Sequence, residues 1–95
     1  MTIAEEWAAY LQEPLNLDGD PALAERKAEL AVLDADIAGY LARAIERPLT
    51  AEESEELLRL RSWLLSAVAS LPAAHRVRRH MERLAVLAER AAEAR

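Results

Sequence analysis

Residues 48–72 read PLTAEESEELLRLRSWLLSAVASLP and contain the signals that bound one long helix. Thr50 followed three residues later by Glu53 is a capping box, which satisfies free backbone amides at a helix start. The glutamates that follow Thr50 also suit the positive end of the helix dipole. Apolar residues then recur every three or four positions as far as Pro72. The pattern predicts a helix over 51–70 that contacts two neighbours, and it leaves open whether Pro72 turns the chain or only kinks it.

Three further helices are predicted around this one, over residues 3–12, 21–47 and 73–94. The helix over 21–47 has Asp20 as its N-cap and Pro21 at its first position. Its last turn carries Arg43 and Arg47, which we expect beside the glutamates of the next helix in an antiparallel hairpin. One flank of the same helix consists of small residues that permit close approach of another helix: Ala28, Ala31, Ala35, Ala38 and Ala42.

Composition agrees with an all-helical fold. The chain has 95 residues, among them 21 Ala, 16 Leu and no Phe, with only seven Val and Ile together. Such a mixture favours helix and disfavours strands. The predicted class is therefore all-α: one domain over 1–95, a small antiparallel bundle of three long helices plus a short N-terminal helix. We expect the third helix to be its central element.

The sequence lacks the features of secreted and membrane proteins. It contains no Cys, which removes disulfides and thiolate metal sites. No signal peptide and no apolar run of about 18 residues is visible. We therefore expect a cytoplasmic protein with no membrane partner.

Charge is distributed unevenly along the chain. The whole net charge of −5 lies in the first 20 residues, which contain Glu5, Glu6, Glu13, Asp18 and Asp20 and no Lys or Arg. The last helix opens instead with basic residues, where the helix dipole is already positive. The residues of this basic cluster are His75, Arg76, Arg78, Arg79, His80 and Arg83. Because this cluster departs from the helix-dipole preference, it indicates a binding site or a partner.

Three hypotheses explain the basic cluster. The acidic N-terminal half of the same chain satisfies it, or an acidic protein surface does, or phosphate groups do. Nucleic acid is the less favoured partner, because the body is net negative and the cluster lacks Lys and interleaved aromatic residues.

Trp63 is the second candidate feature, since it lies on the polar side of its helix. Exposed tryptophan is a common anchor at interfaces, and the alternative is that the first helix covers it. The predicted function is a non-catalytic interaction or assembly subunit that binds an acidic, partly apolar protein or a second copy of itself. The predicted partner-binding residues are Trp63, Arg76, Arg79, His80 and Arg83.

Groups that could perform catalysis are few. His75 and His80 are five positions apart and point in different directions, so they do not form the helical pair typical of metal sites. No Gly-rich phosphate loop is present, and we expect no cofactor, metal or small-molecule substrate. Residues 28–47, with Leu33-Asp34 before a Leu-rich helix that ends in Arg, resemble the long first helix of the all-helical chorismate mutases. That resemblance covers a fifth of the chain and implies a small helical enzyme as a remote alternative, but Ala44 stands where the family has a basic residue.

Overall fold

The computed structural model describes residues 2–13, 15–17 and 19–93. It confirms the all-α class: the described residues form four α-helices, one short 3-10 helix and no strand. The helices are α1 (Ile3–Leu11), α2 (Lys27–Glu46), α3 (Ala51–Val68) and α4 (Arg76–Glu93), with the 3-10 helix at Pro21–Leu23. None of these helices combines the length and hydropathy that a membrane span requires.

The predicted helix over 21–47 is divided in the structure. Asp20 does act as an N-cap, because its side chain accepts a hydrogen bond from the Ala22 amide. The bonds that follow link residues three apart, as in Leu23 to Asp20, so they build only a 3-10 turn. This turn buries Leu23 in the core, and α2 starts afresh at Lys27.

Pro72 marks a turn between two helices. α3 ends at Val68, and the Leu71 amide donates to the Val68 carbonyl in a non-helical segment. The last helix accordingly begins at Arg76 and not at Ala73, while its predicted end at Ala94 lies outside the described residues. The residue before a proline avoids the helical region, which accounts for the interruption.

The predicted hairpin between α2 and α3 is present. Arg47 pairs with Glu53 at 2.8 Å, and Arg43 reaches the same carboxylate at 3.3 Å. The Arg47 guanidinium and the Thr50 amide together lower the pKa of Glu53 to about 2. The capping box predicted at Thr50 forms, and Thr2 forms a second one with Glu5.

The central element is α4, where the sequence led us to expect α3. α4 packs against α1, α2 and α3, whereas α3 packs against α2 and α4. The reason is that α4 buries residues on more of its circumference: Val77, His80, Met81, Leu84, Ala85, Leu87, Ala88, Ala91 and Ala92. α1 runs antiparallel to α4, with Glu6 paired to Arg90 and Glu13 to Arg83.

Candidate functional site

The arginine flank of α4 consists of Arg76, Arg79 and Arg83, which are all exposed. Their spacing of three and four residues places them along one side of the helix. Together with Glu13 and Leu15 from the segment after α1, they line a groove of about 340 Å³. The structure therefore brings three of the predicted site residues together on one surface.

The N-terminal segment satisfies part of the basic cluster, as one of the three hypotheses proposed. Arg83 forms an ion pair with Glu13, and the Arg76 guanidinium donates to the Asn16 carbonyl at 2.5 Å. Asp18, a further acidic candidate, lies outside the described residues. Within the described residues, the Arg79 side chain makes no hydrogen bond or ion pair.

His75 explains how α4 tolerates basic residues at its start. Its Nδ1 accepts a hydrogen bond from the Val77 amide at 3.1 Å, so the imidazole acts as the cap. Its Nε2 lies 2.6 Å from an Asp20 carboxylate oxygen. Because Nδ1 accepts, the neutral ring carries its proton on Nε2 and donates to Asp20. The Ala22 amide and then His75 lower the pKa of Asp20, whose negative charge faces the positive end of α4.

Arg78, on the other side of the start of α4, stabilises the turn that precedes this helix. Its guanidinium donates to the Leu71 carbonyl at 2.7 Å and pairs more loosely with Glu82 at 3.7 Å. It thereby satisfies a carbonyl in the segment that follows α3. Arg78 thus belongs to the turn between α3 and α4.

His80 lies in the interior, with 9% of its surface exposed, although the sequence placed it among the partner-binding residues. Its ring packs against Tyr10 of α1, with 4.5 Å between ring centroids. The Tyr10 hydroxyl donates to Asp34 of α2 at 2.8 Å, and Trp7 stacks on the same tyrosine ring at 5.4 Å. Burial lowers the pKa of His80 and raises that of Tyr10. This cluster holds α1 on α2 and α4.

Trp63 is a residue of α3 on the side that faces the start of α2, and it is half exposed, at 51%. Its indole N–H donates to the Glu29 carboxylate of α2 at 2.9 Å. α1 packs mainly on α4 and α2 and leaves Trp63 half exposed, so it does not supply the cover that one hypothesis assigned to it. The arginine flank faces the segment after α1, so the structure does not bring Trp63 and the arginines into one site.

The outward side of α2 carries a surface that the sequence only partly indicated. Ala28, Ala31, Ala35 and Ala42 are exposed, Ala38 is half-buried, and Ile45 is 41% exposed. We call these six residues the α2 seam. The alanine spacing had indicated close helix approach, but the sequence could not show that five of these six residues stay exposed in the part of the chain that the structure describes.

Neither a metal-ligand cluster among the described residues nor a related protein indicates a function for this chain. In the part of the chain that the structure describes, no three His, Asp or Glu side chains are placed to hold a metal ion. Comparison with protein-family models, curated proteins and solved structures yields no match to this chain.

Proposed function

We propose that this protein is a non-catalytic assembly subunit whose α2 seam binds the same seam of a second copy. The observation that carries the proposal is the exposure of five of the six seam residues over five turns of α2. From Ala28 to Ile45, no charged side chain lies on that side of the helix, since Asp36 and Arg43 fall to one edge and Asp34 to the other. An uncharged strip of this length, about 25 Å at 1.5 Å per residue, suits contact with another helix.

The spacing of the seam supports a helix as the occupant. Its members follow one another at intervals of three, four, three, four and three residues. This is the heptad spacing by which two helices keep one apolar face in contact. Alanine at every position except the last allows the two backbones to approach closely, so contact between main chains contributes to the interface along with side-chain packing.

The same spacing supports a second copy of the chain as the partner. The interval series reads identically in both directions, so an antiparallel pair of α2 helices places each seam residue opposite another seam residue. Ala28 then faces Ile45, Ala31 faces Ala42, and Ala35 faces Ala38. At each end of the paired helices, the large Ile45 side chain of one copy therefore meets the small Ala28 side chain of the other. Such an isologous arrangement needs one two-fold axis and closes on itself.

Charges at the helix ends favour the antiparallel orientation. Lys27 begins α2 and Glu46 ends it, and both are exposed close to the seam. An antiparallel pair puts each Lys27 at the level of the other copy's Glu46. A parallel pair would align like charges and helix dipoles at both ends.

Sedimentation velocity of wild-type protein over a concentration series tests this proposal. We expect a monomer–dimer equilibrium, and we expect Ala35→Glu to abolish it because a charge at the centre of the seam would be desolvated. Glutamate on an exposed helix surface is tolerated in the monomer, which circular dichroism checks.

Ser62→Glu is the matched control, since Ser62 is exposed on α3 and distant from the seam in sequence. It should dimerise like wild type. A monomeric wild type at all concentrations, or equal loss of dimer in both variants, would refute the use of the seam.

A further inference from the structure

We infer that the groove between the arginine flank and the segment after α1 binds the phosphoryl group of a small phosphate monoester. This site is separate from the α2 seam and does not depend on the proposed function. Its side walls are Arg76, Arg79 and Arg83 of α4 on one side and Glu13 and Leu15 on the other, while Val77 and His80 are buried at its base.

The balance of charge in the groove favours an anion. Three guanidinium groups line it against one carboxylate, so its described lining residues carry a net positive charge on a protein of net charge −5. The Asp20 carboxylate offsets the dipole at the start of α4, so the attraction for an anion comes mainly from the guanidinium groups.

Unused hydrogen-bond donors point to phosphate in particular. The Arg79 side chain has no partner among the described residues, and Arg76 uses one nitrogen on the Asn16 carbonyl. Each guanidinium offers a planar set of donors that matches two oxygens of a phosphoryl group. A phosphoryl group has three terminal oxygens to accept these bonds, whereas a carboxylate has two.

Space in the groove points to a phosphorylated molecule. The volume of about 340 Å³ exceeds that of a lone phosphate several times over and leaves room for an attached organic group. Leu15, which is half-buried at the rim, offers apolar contact to such a group. Glu13 limits the size of the positive region, because it already neutralises Arg83.

Amide chemical-shift titration at constant ionic strength tests the site, with inorganic phosphate, O-phosphoserine and succinate as probes. We expect saturable shifts confined to residues 13–17 and 75–83. O-phosphoserine should bind at least as tightly as phosphate, and succinate should bind more weakly than either. Shifts that do not saturate would overturn the site. Equal binding of succinate would overturn the preference for a phosphoryl group, and weaker binding of O-phosphoserine than of phosphate would overturn the monoester.

Three variants sharpen the test. Arg79→Gln should weaken phosphate binding about tenfold, in line with the loss of one charge-assisted hydrogen bond. It should leave the fold intact, since this side chain holds nothing within the described residues. Glu13→Gln should instead tighten binding, because it frees Arg83. Arg59→Gln, on exposed Arg59 of α3 with its Glu56 partner, is the control and should bind as wild type does. Unchanged affinity in Arg79→Gln would overturn the assignment.

Discussion

Replacement of Tyr10 by phenylalanine tests how α1 is held on the bundle. The change removes only the hydroxyl that donates to Asp34 at 2.8 Å and keeps the ring that packs on His80 and Trp7. A hydrogen bond to a charged group contributes about 1.5 to 3 kcal/mol, and the lower figure applies because Asp34 is only half-buried. We therefore expect Tyr10→Phe to lower the free energy of unfolding by about 1.5 kcal/mol.

That loss converts into a measurable change in melting temperature. Unfolding entropy for a chain of 95 residues is about 0.2 kcal/mol/K, so the Tm should fall by about 7 °C. Thermal unfolding followed by circular dichroism at neutral pH gives this number directly. Tyr40→Phe is the control, because the Tyr40 hydroxyl makes no hydrogen bond within the described residues; its Tm should stay within about 2 °C of wild type.

A double-mutant cycle with Asp34→Ala isolates the bond itself, because alanine has no acceptor for the Tyr10 hydroxyl. If the bond forms as described, the two single losses should not add, and the coupling should be about 1 kcal/mol. Equal melting temperatures for wild type and Tyr10→Phe, or additive losses in the cycle, would refute the contact that seats α1. The phosphate groove would then lose the wall that carries Glu13 and Leu15.

Three further predictions concern stability. Burial lowers the pKa of His80 below 6.5, so the unfolded chain binds its proton first as the pH falls. Urea unfolding should therefore show stability falling below about pH 6.5 more steeply in wild type than in His80→Gln. Asp20 has a lowered pKa, so Asp20→Asn should destabilise the protein at neutral pH. The difference in unfolding free energy between wild type and variant should shrink below about pH 4, and a difference that stays constant with pH would contradict the role of the Asp20 charge. The Ser54 hydroxyl is buried and has no hydrogen-bond partner among the described residues. Ser54→Ala should therefore raise the free energy of unfolding by about 1 kcal/mol, whereas a loss would show that the hydroxyl is satisfied.

Capping signals and apolar periodicity were sufficient to predict the class of fold and the hairpin. Thr50 with Glu53 marks the start of α3 correctly, because a capping box acts through neighbouring residues only. Asp20 and Pro21 show the limit of such signals. The cap forms, but the segment that follows it is a 3-10 turn with Leu23 in the core, since local signals do not decide whether a helix continues.

The candidate sites depended more strongly on packing between distant segments. The acidic N-terminal residues and the basic start of α4 could be paired by charge, yet only the packing of α1 and of the segment that follows it assigns Glu13 to Arg83 and Asp20 to His75. His80 had the polarity of a surface residue, but α1 covers it. The exposure of the α2 seam was equally hidden, because an alanine flank looks the same in sequence whether a helix of the chain covers it or not.

An isotope-filtered nuclear Overhauser experiment on a mixture of labelled and unlabelled wild-type protein tests the central claim most directly. The antiparallel seam predicts contacts between methyl groups of different copies, from Ile45 to Ala28 and from Ala31 to Ala42. Contacts between copies that join Ala28 to Ala28, or that arise from α3 in place of α2, would contradict this arrangement, as would their complete absence at the highest concentration reached.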